Sequence, residues 1–223
     1  MKVKIISIVL VLCMLAAVAA MTSCGSTDPD KSTNSESGNN SETENNDNVL
    51  KNEMFRYSVA DGCVVIDKYI GSDTYVVIPS EIDGKPVKEV GESAFISSTA
   101  KVKSIVFADT VETIGSNVCL GIATLETVVF GKSLKTIGES AFYCCASLKS
   151  VTLPDSLESI GRLCFAGCDS LTDIIIPQSV ASIGNKAFAA CDGLTSITIP
   201  EAYRSSIENI TFNCSESLVV SYS

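Results

Sequence analysis

The stretch Ile137-Gly138-Glu139-Ser140-Ala141-Phe142 recurs at a fixed interval as Ile160-Gly161-Arg162-Leu163-Cys164-Phe165, and again as Ile183-Gly184-Asn185-Lys186-Ala187-Phe188. A repeat at fixed spacing indicates that one structural unit is stacked on the next, so it decides the architecture before any single residue is interpreted. One earlier copy has Cys119 in the Phe position, and a degenerate last copy is predicted to keep Phe212. The predicted copies start at Val90, Ile114, Ile137, Ile160, Ile183 and Ile207.

Each complete copy is preceded by a segment with the periodicity of a β-strand. In the segment that opens at Leu148, apolar side chains alternate at Val151 and Leu153, which predicts a strand with one buried face. Pro154 is expected to end this strand, because proline cannot donate a hydrogen bond to a neighbouring strand. The equivalent positions of the other copies hold Ala108, Gly131, Pro177 and Pro200.

The second half of each copy has a different spacing. Ile137, Ala141, Phe142 and Cys145 lie at i, i+4, i+5 and i+8, which predicts one face of a short helix. Gly138 is expected to serve the tight bend into that segment. The alanine is expected to be small because the next turn of the chain presses against it, and the phenylalanine is expected to fill the interior.

A single copy cannot be stable alone. It offers roughly six buried apolar side chains at about 2 kcal/mol each, whereas ordering its backbone costs about 1–2 kcal/mol per residue. Stacking shares the core between neighbours and pairs each strand with the next at about 4.8 Å. The predicted fold is therefore an α/β solenoid with a parallel β ladder, short helical or irregular backs and a period of about 23 residues.

The unit Leu-x-x-Ile-x-Ile-Pro-x-x-Val-x-x-Ile-Gly-x-x-Ala-Phe-x-x-Cys resembles the BspA-type leucine-rich repeat, a short bacterial repeat class of exported and surface proteins. The resemblance covers about residues 90–212, and residues 55–89 resemble the usual opening of the family. We expect this opening to form two strands and a turn that cover the first turn of the solenoid. The resemblance implies adhesion or protein–protein contact.

The N-terminus carries the features of an export signal. Lys2 and Lys4 precede an apolar run over residues 5–20, and a helix of that length spans only about 24 Å, short of a bilayer core of about 30 Å. This favours a secretory signal. Small residues directly before Cys24 resemble a bacterial lipobox and predict lipidation of Cys24, with stable anchoring through a diacylglyceryl group. The alternative is ordinary cleavage nearby, with Cys24 unmodified.

Composition divides the chain into four predicted segments. They are a lipoprotein signal peptide at 1–23, a disordered acidic Ser/Asn-rich tether at 24–53, an N-terminal β cap at 54–89 and the leucine-rich repeat solenoid at 90–223. The tether has too few apolar residues to build a core. A net charge of −10 argues against nucleic acid as a partner. The expected location is the outer side of the bacterial membrane or the cell surface, with the lipid as the membrane contact.

Ten cysteines require an explanation. Cys13 leaves with the signal and Cys24 would be lipidated, and most of the rest are predicted to be buried free thiols. Cys144 and Cys214 are placed one residue away from the main cysteine column. Disulfides remain an alternative, and a metal site at Cys164-x-x-x-Cys168 is disfavoured because no histidine completes it. The main column holds Cys145, Cys168 and Cys191, each separated from the next by one repeat period.

The sequence does not support an enzyme. The chain has no histidine, which removes Ser-His-Asp and Cys-His catalysis. Ser98 and Lys101 form an isolated Ser-x-x-Lys motif without the motifs that accompany it in acylating enzymes. We therefore expect no catalytic residue, no cofactor and no metal.

The outward positions of the predicted strands form the candidate binding face for a host, matrix or cell-surface protein. Their β-branched character has a simpler alternative explanation, namely strand propensity. A structural envelope lipoprotein without a dedicated ligand is the alternative function. The candidate face consists of Val106, Val129, Thr152, Ile175 and Thr198, flanked by Ser104, Thr127, Ser150, Asp173 and Ser196.

Overall fold

The computed structural model describes residues 50–96 and 101–223. The predicted signal peptide, Cys24 and the tether as far as residue 49 lie outside the described residues. The described chain begins with a short strand at Leu50–Lys51, inside the segment predicted to be tether. Within the described ranges, no helix is long and apolar enough to cross a membrane.

The N-terminal cap contains more strands than the two predicted. The cap strands are β1 Leu50–Lys51, β2 Phe55–Ala60, β3 Cys63–Tyr69, β4 Tyr75–Ile78, β5 Glu81–Ile82 and β6 Lys85–Val90. The first three strands form an antiparallel sheet, whose β2–β3 turn has positive φ at Asp61 and Gly62. Strand β4 is the first strand of the main ladder, so the solenoid begins inside the predicted cap.

Two parallel ladders run along the solenoid, and residues one period apart pair in register, as Thr127 does with Ser150. The long-strand ladder consists of β4, β7 Ser104–Phe107, β9 Thr127–Val129, β11 Ser150–Thr152, β13 Asp173–Ile175, β15 Ser196–Ile199 and β16 Val219–Tyr222. The short-strand ladder consists of β6, β8 Thr113–Ile114, β10 Thr136–Ile137, β12 Ser159–Ile160 and β14 Ser182–Ile183. Strand pairing in the long-strand ladder is interrupted between β11 and β13. The predicted parallel solenoid is confirmed, and it has about seven turns.

The predicted short helix after Ile137 is wrong. The chain instead makes successive turns, with the left-handed conformation at Ser140 (φ 54°) and Cys144 (φ 56°). Backbone groups there bond to the next turn of the solenoid: the Phe142 N–H donates to the Cys164 carbonyl at 2.8 Å. The backs are therefore irregular, and in the described chain helix is confined to a 3-10 segment at Glu201–Ser206 and helix α1 at Ile207–Ile210.

The interior is a stack of equivalent apolar side chains. The rings of Phe142 and Phe165 lie 5.3 Å apart at an interplanar angle of 5°, and Phe188 continues the stack at 5.4 Å. All three side chains are fully buried. Each ring therefore contacts its own equivalent, and such aromatic pairs contribute about 0.5–1.5 kcal/mol beyond their buried area.

The last copy does not follow the predicted alignment. The Phe188 N–H donates to the Ile210 carbonyl, so Thr211 takes the phenylalanine position, and Phe212 is 51% exposed. Ile210 is buried in the position that alanine holds elsewhere. The offset from Phe188 to Thr211 is the regular repeat period, so the predicted start at Ile207 is one residue too late, and the 3-10 segment replaces the short strand of this copy.

The glycine of each Ile-Gly pair is required by close packing and not by an unusual bend. A Cβ atom at Gly138 would lie 2.6 Å from the carbonyl carbon of Gly115 in the preceding turn. No side chain fits there, and Gly138 is not among the residues with positive φ. The backbones of successive turns therefore touch at this column, which corrects the interpretation of Gly138 as a bend residue.

Gly138→Ala is expected to lower the free energy of unfolding by about 1–3 kcal/mol, because the added methyl group forces the turns apart. Gly91→Ala, at the start of the same column, is the matched control, since its Cβ would lie 3.1 Å from its nearest neighbour, the Ile66 carbonyl oxygen. Urea unfolding of both variants tests this. Equal losses at the two positions would contradict it.

Candidate binding face

The outward side chains of the long-strand ladder form two rows, which we call the first and second outer rows. Strand register places all five predicted face residues in the first outer row. The first outer row consists of Val77, Val106, Val129 and Thr152 in one sheet and Ile175, Thr198 and Ser221 in the next. The inward neighbours between these rows, such as Val128 and Ile174, are buried. The sequence interpretation missed Val77 and Ser221, which lie at the two ends.

The second outer row contains the predicted flanking residues and two apolar residues that sequence reasoning missed. Ser104 is buried and does not contribute to an open face. The row consists of Tyr75, Ser104, Thr127 and Ser150, followed by Asp173, Ser196 and Val219. Val219 follows Ser196 by one full period and was detectable by spacing, whereas the interval from Tyr75 to Ser104 is longer than the period.

Exposed apolar surface lies at both ends of the second outer row, with Tyr75 and Val219, and inside the first outer row, with Ile175. Tyr75 and Ile175 are each 65% exposed, and Val219 is 61% exposed. Between them, Thr152 and Ser150 present hydroxyl groups. Full burial of an isoleucine side chain against a partner contributes about 1.5–3 kcal/mol. The arrangement therefore suits contact with another macromolecular surface.

Rows of ion pairs border the face and line other columns. Glu126 lies directly before β9 and pairs with Lys103 at 3.2 Å and with Lys149 at 2.8 Å, so charges of opposite sign alternate along three successive turns. Glu112 pairs in the same way with Lys88 at 2.5 Å and Lys135 at 2.6 Å. Since equivalent residues sit one strand spacing apart, like charges in such a column would repel.

Comparison with known proteins agrees with this architecture. The family described as BspA type Leucine rich repeat region matches residues 88–219 in 6 copies. The chain belongs to the BspA-type leucine-rich repeat family. Its fold is of a kind that typically serves as a binding scaffold rather than as an enzyme. No curated protein matches the sequence.

Solved structures of bacterial leucine-rich repeat proteins share this solenoid fold. The leucine rich repeat protein of T. pallidum is 30% identical, with a TM-score of 0.68, over 78% of this chain and 81% of that one. A leucine-rich repeat protein from Bacteroides ovatus is 26% identical, with a TM-score of 0.57, over 77% of this chain and 55% of that one. The pneumococcal vaccine antigen PcpA, 19% identical over 69% of this chain and 50% of its own, with a TM-score of 0.52, shares the fold.

The cysteine column of this BspA-type repeat has a polar role as well as an apolar one. The thiol of Cys145 donates to the Cys119 carbonyl at 3.2 Å, and Cys168 and Cys191 make the equivalent bonds. Cys214 makes the same bond to Phe188 at 2.9 Å, so its predicted place outside the column is wrong. The described cysteines are all free, and no group of three or more potential ligands among the described residues is placed to hold a metal.

The carboxylate of Glu112 shows how the contribution of the ion-pair rows to folding stability depends on pH. Hydrogen bonds from Lys135 and then Lys88 lower its pKa to about 2. A folded-state pKa below the unfolded value means that this group adds stability above the unfolded pKa of about 4.3. That contribution is lost as the pH falls from about 4 to about 2 and below. It is small, because exposed ion pairs are screened by solvent.

Glu112→Gln is expected to lower the free energy of unfolding at pH 7 by less than about 1 kcal/mol, and the difference from the parent should shrink as the pH falls toward 2. Urea unfolding at several pH values measures this. Glu158→Gln is the matched control, because Glu158 continues the same column and makes no ion pair among the described residues. A difference for Glu112→Gln that stayed constant with pH would exclude the ion-pair explanation.

Proposed function

We propose that this protein is an exported bacterial lipoprotein that presents the two outer rows of its long-strand ladder for protein–protein binding or adhesion. The observation that carries the proposal is the exposure of Tyr75, Ile175 and Val219 on an ordered, in-register β face. Membership of the BspA-type family supports it, since solenoids generally use such extended faces for binding. The partner class is a host, matrix or cell-surface protein.

The size of the face indicates how much of it a partner must cover. Seven strands at about 4.8 Å give a length of about 29 Å, and alternate outward residues of one strand lie about 7 Å apart. The two rows alone therefore offer roughly 200–300 Å², whereas a standard interface buries about 800 Å² per partner. The partner is expected to reach across the bordering ion pairs of Glu126 as well.

Thr152, Ile175 and Thr198 are adjacent in the first outer row, so replacing all three with lysine places three like charges in the centre of the proposed contact. The triple variant is expected to bind at least about tenfold more weakly, a loss of about 1.4 kcal/mol or more. Binding of protein-coated beads to immobilised host matrix proteins measures this. Unchanged binding would exclude the face.

The matched control carries three lysines elsewhere on the solenoid, at Ala181, Asn185 and Asn209, which are exposed and lie outside the long-strand ladder. It adds the same charge to the same chain and is expected to bind like the parent. If the control loses binding to the same extent, the effect of the first triple variant is a general charge effect and not a property of the face.

The proposed anchoring of the protein to the membrane depends on Cys24, which lies outside the described residues. Cys24→Ser is expected to abolish incorporation of a labelled fatty acid and to move the protein from the membrane fraction to the medium, since the thiol that carries the diacylglyceryl group is gone. Cys13→Ser, within the predicted signal, is the control and should remain labelled. Continued membrane retention of an unlabelled Cys24→Ser variant would contradict lipid anchoring.

The second candidate is a structural envelope lipoprotein without a dedicated ligand. The small area of the two outer rows favours it, because they fall short of a standard interface. Crosslinking on living cells, followed by identification of the captured proteins, separates the two. A single saturable partner that is lost from the triple lysine variant would exclude the structural candidate.

A further inference from the structure

Cys191 and Cys214 are equivalent residues of two consecutive turns. The pairing of Ser196 with Val219 sets the offset between these turns at one repeat period, and the same offset separates the two cysteines. Both thiols donate to the carbonyl of the phenylalanine position one turn earlier, at 3.1 Å for Cys191 and 2.9 Å for Cys214. The two sulfur atoms therefore occupy the same place in adjacent turns.

We propose that Cys191 and Cys214 are a disulfide-forming pair that joins two consecutive turns of the solenoid when a small-molecule disulfide is present. Adjacent strands lie about 4.8 Å apart, and a disulfide needs Cα atoms about 4.4–6.8 Å apart. Helix α1 and the preceding 3-10 segment lie between the two cysteines. This stretch departs from the regular repeat and can absorb the small adjustment that bond formation requires. The proposal is independent of the proposed ligand.

Access and reactivity distinguish Cys214 from the other members of the column. Cys145, Cys168 and Cys191 are buried, whereas Cys214 is only half-buried and can meet a reagent. The hydrogen bond with Cys214, and then burial, raise the pKa of the Cys191 thiol, so Cys191 is the second of the two thiols to react.

When Cys214 ionises, the single hydrogen of the Cys191 thiol turns from the Phe165 carbonyl to the Cys214 sulfur. This hydrogen bond lowers the pKa of the Cys214 thiol to about 7, although burial and the nearby carboxylate of Asp192 act to raise it. Burial raises the pKa of the Cys145 thiol well above its ordinary value. Since the thiolate is the nucleophile, Cys214 attacks first.

The chemistry proceeds by thiol–disulfide exchange. The Cys214 thiolate attacks one sulfur atom of oxidised glutathione, the S–S bond of glutathione breaks, and one glutathione leaves as a thiolate that takes up a proton. Cys191 then attacks the Cys214 sulfur of the mixed disulfide, and its proton passes to the second departing glutathione. The two protein thiols are oxidised to one disulfide, and one oxidised glutathione is reduced to two thiols.

The sequence allows a direct test on the unaltered full-length chain. Trypsin cleaves after Lys186 and Arg204, so Cys191 and Cys214 fall in separate peptides, 187–204 and 205–223, each with one cysteine. After treatment with oxidised glutathione, alkylation of free thiols and digestion without reductant, mass spectrometry is expected to find these two peptides joined. Reduction should separate them. Recovery of both as alkylated single peptides, or joined to other cysteine peptides instead, would overturn the proposal.

Two variants control for specificity. Cys145→Ser removes a different thiol of the same column and should leave the 187–204 to 205–223 link intact, whereas Cys214→Ser should abolish it and leave Cys191 alkylated. The link should form faster as the pH rises through about 7, the pKa of Cys214. The oxidised parent should also unfold at a higher urea concentration than the reduced parent. Efficient pairing of Cys191 with another cysteine in Cys214→Ser would contradict the assigned pair.

Discussion

The contact of backbone against backbone at the glycine column is the constraint on which the rest of the solenoid depends. At Gly115, Gly138, Gly161 and Gly184, a Cβ atom would collide with the preceding turn, so glycine at these positions lets successive turns approach to the strand spacing. That spacing allows both parallel ladders to form their hydrogen bonds. It also brings the rings of Phe142 and Phe165 to 5.3 Å, close enough to exclude water from the interior.

Stacking in register turns every column of the repeat into a row of equivalent atoms in space. Each residue in such a row contacts the equivalent residues of the turns before and after it. The residue types that occupy one column of the repeat therefore decide which interaction forms between the turns. Charges must alternate, as they do along Lys103, Glu126 and Lys149. Thiols in one column lie next to thiols, which is why Cys191 and Cys214 can react with each other. Outward residues form rows along the ladder, which is why the solenoid presents an extended face.

The prediction of a short helix in each copy was wrong because the same spacing of buried residues fits both a helix and a series of turns. The spacing of Ile137, Ala141 and Cys145 fits a helix, but the chain reaches the same burial pattern through left-handed residues. Two of them occur in each of the four copies that start at 114, 137, 160 and 183, and most of these are not glycine. Leu163 (φ 54°) and Lys186 (φ 60°) carry no sequence signal for that conformation. Hydrogen bonds to the next turn hold them there, and those bonds exist only once the turns are stacked. Phe212 was misaligned because the last copy has no Ile-Gly pair to mark its start, and Ile207 lies one residue after the position that Ile183 holds in the preceding copy.

The solenoid, its period, its resemblance to the family and the outward strand positions of the five predicted face residues can all be derived from the sequence, because a fixed repeat spacing translates directly into strand register. The tertiary structure alone decided how far that face extends, to Tyr75 and Val77 at one end, and which charged residues pair between turns. It also decided that the backs are turns and not helices. These features depend on contacts between successive turns. Where two paired residues are not one repeat period apart, as with Tyr75 and Ser104, the period of the sequence does not predict the pairing.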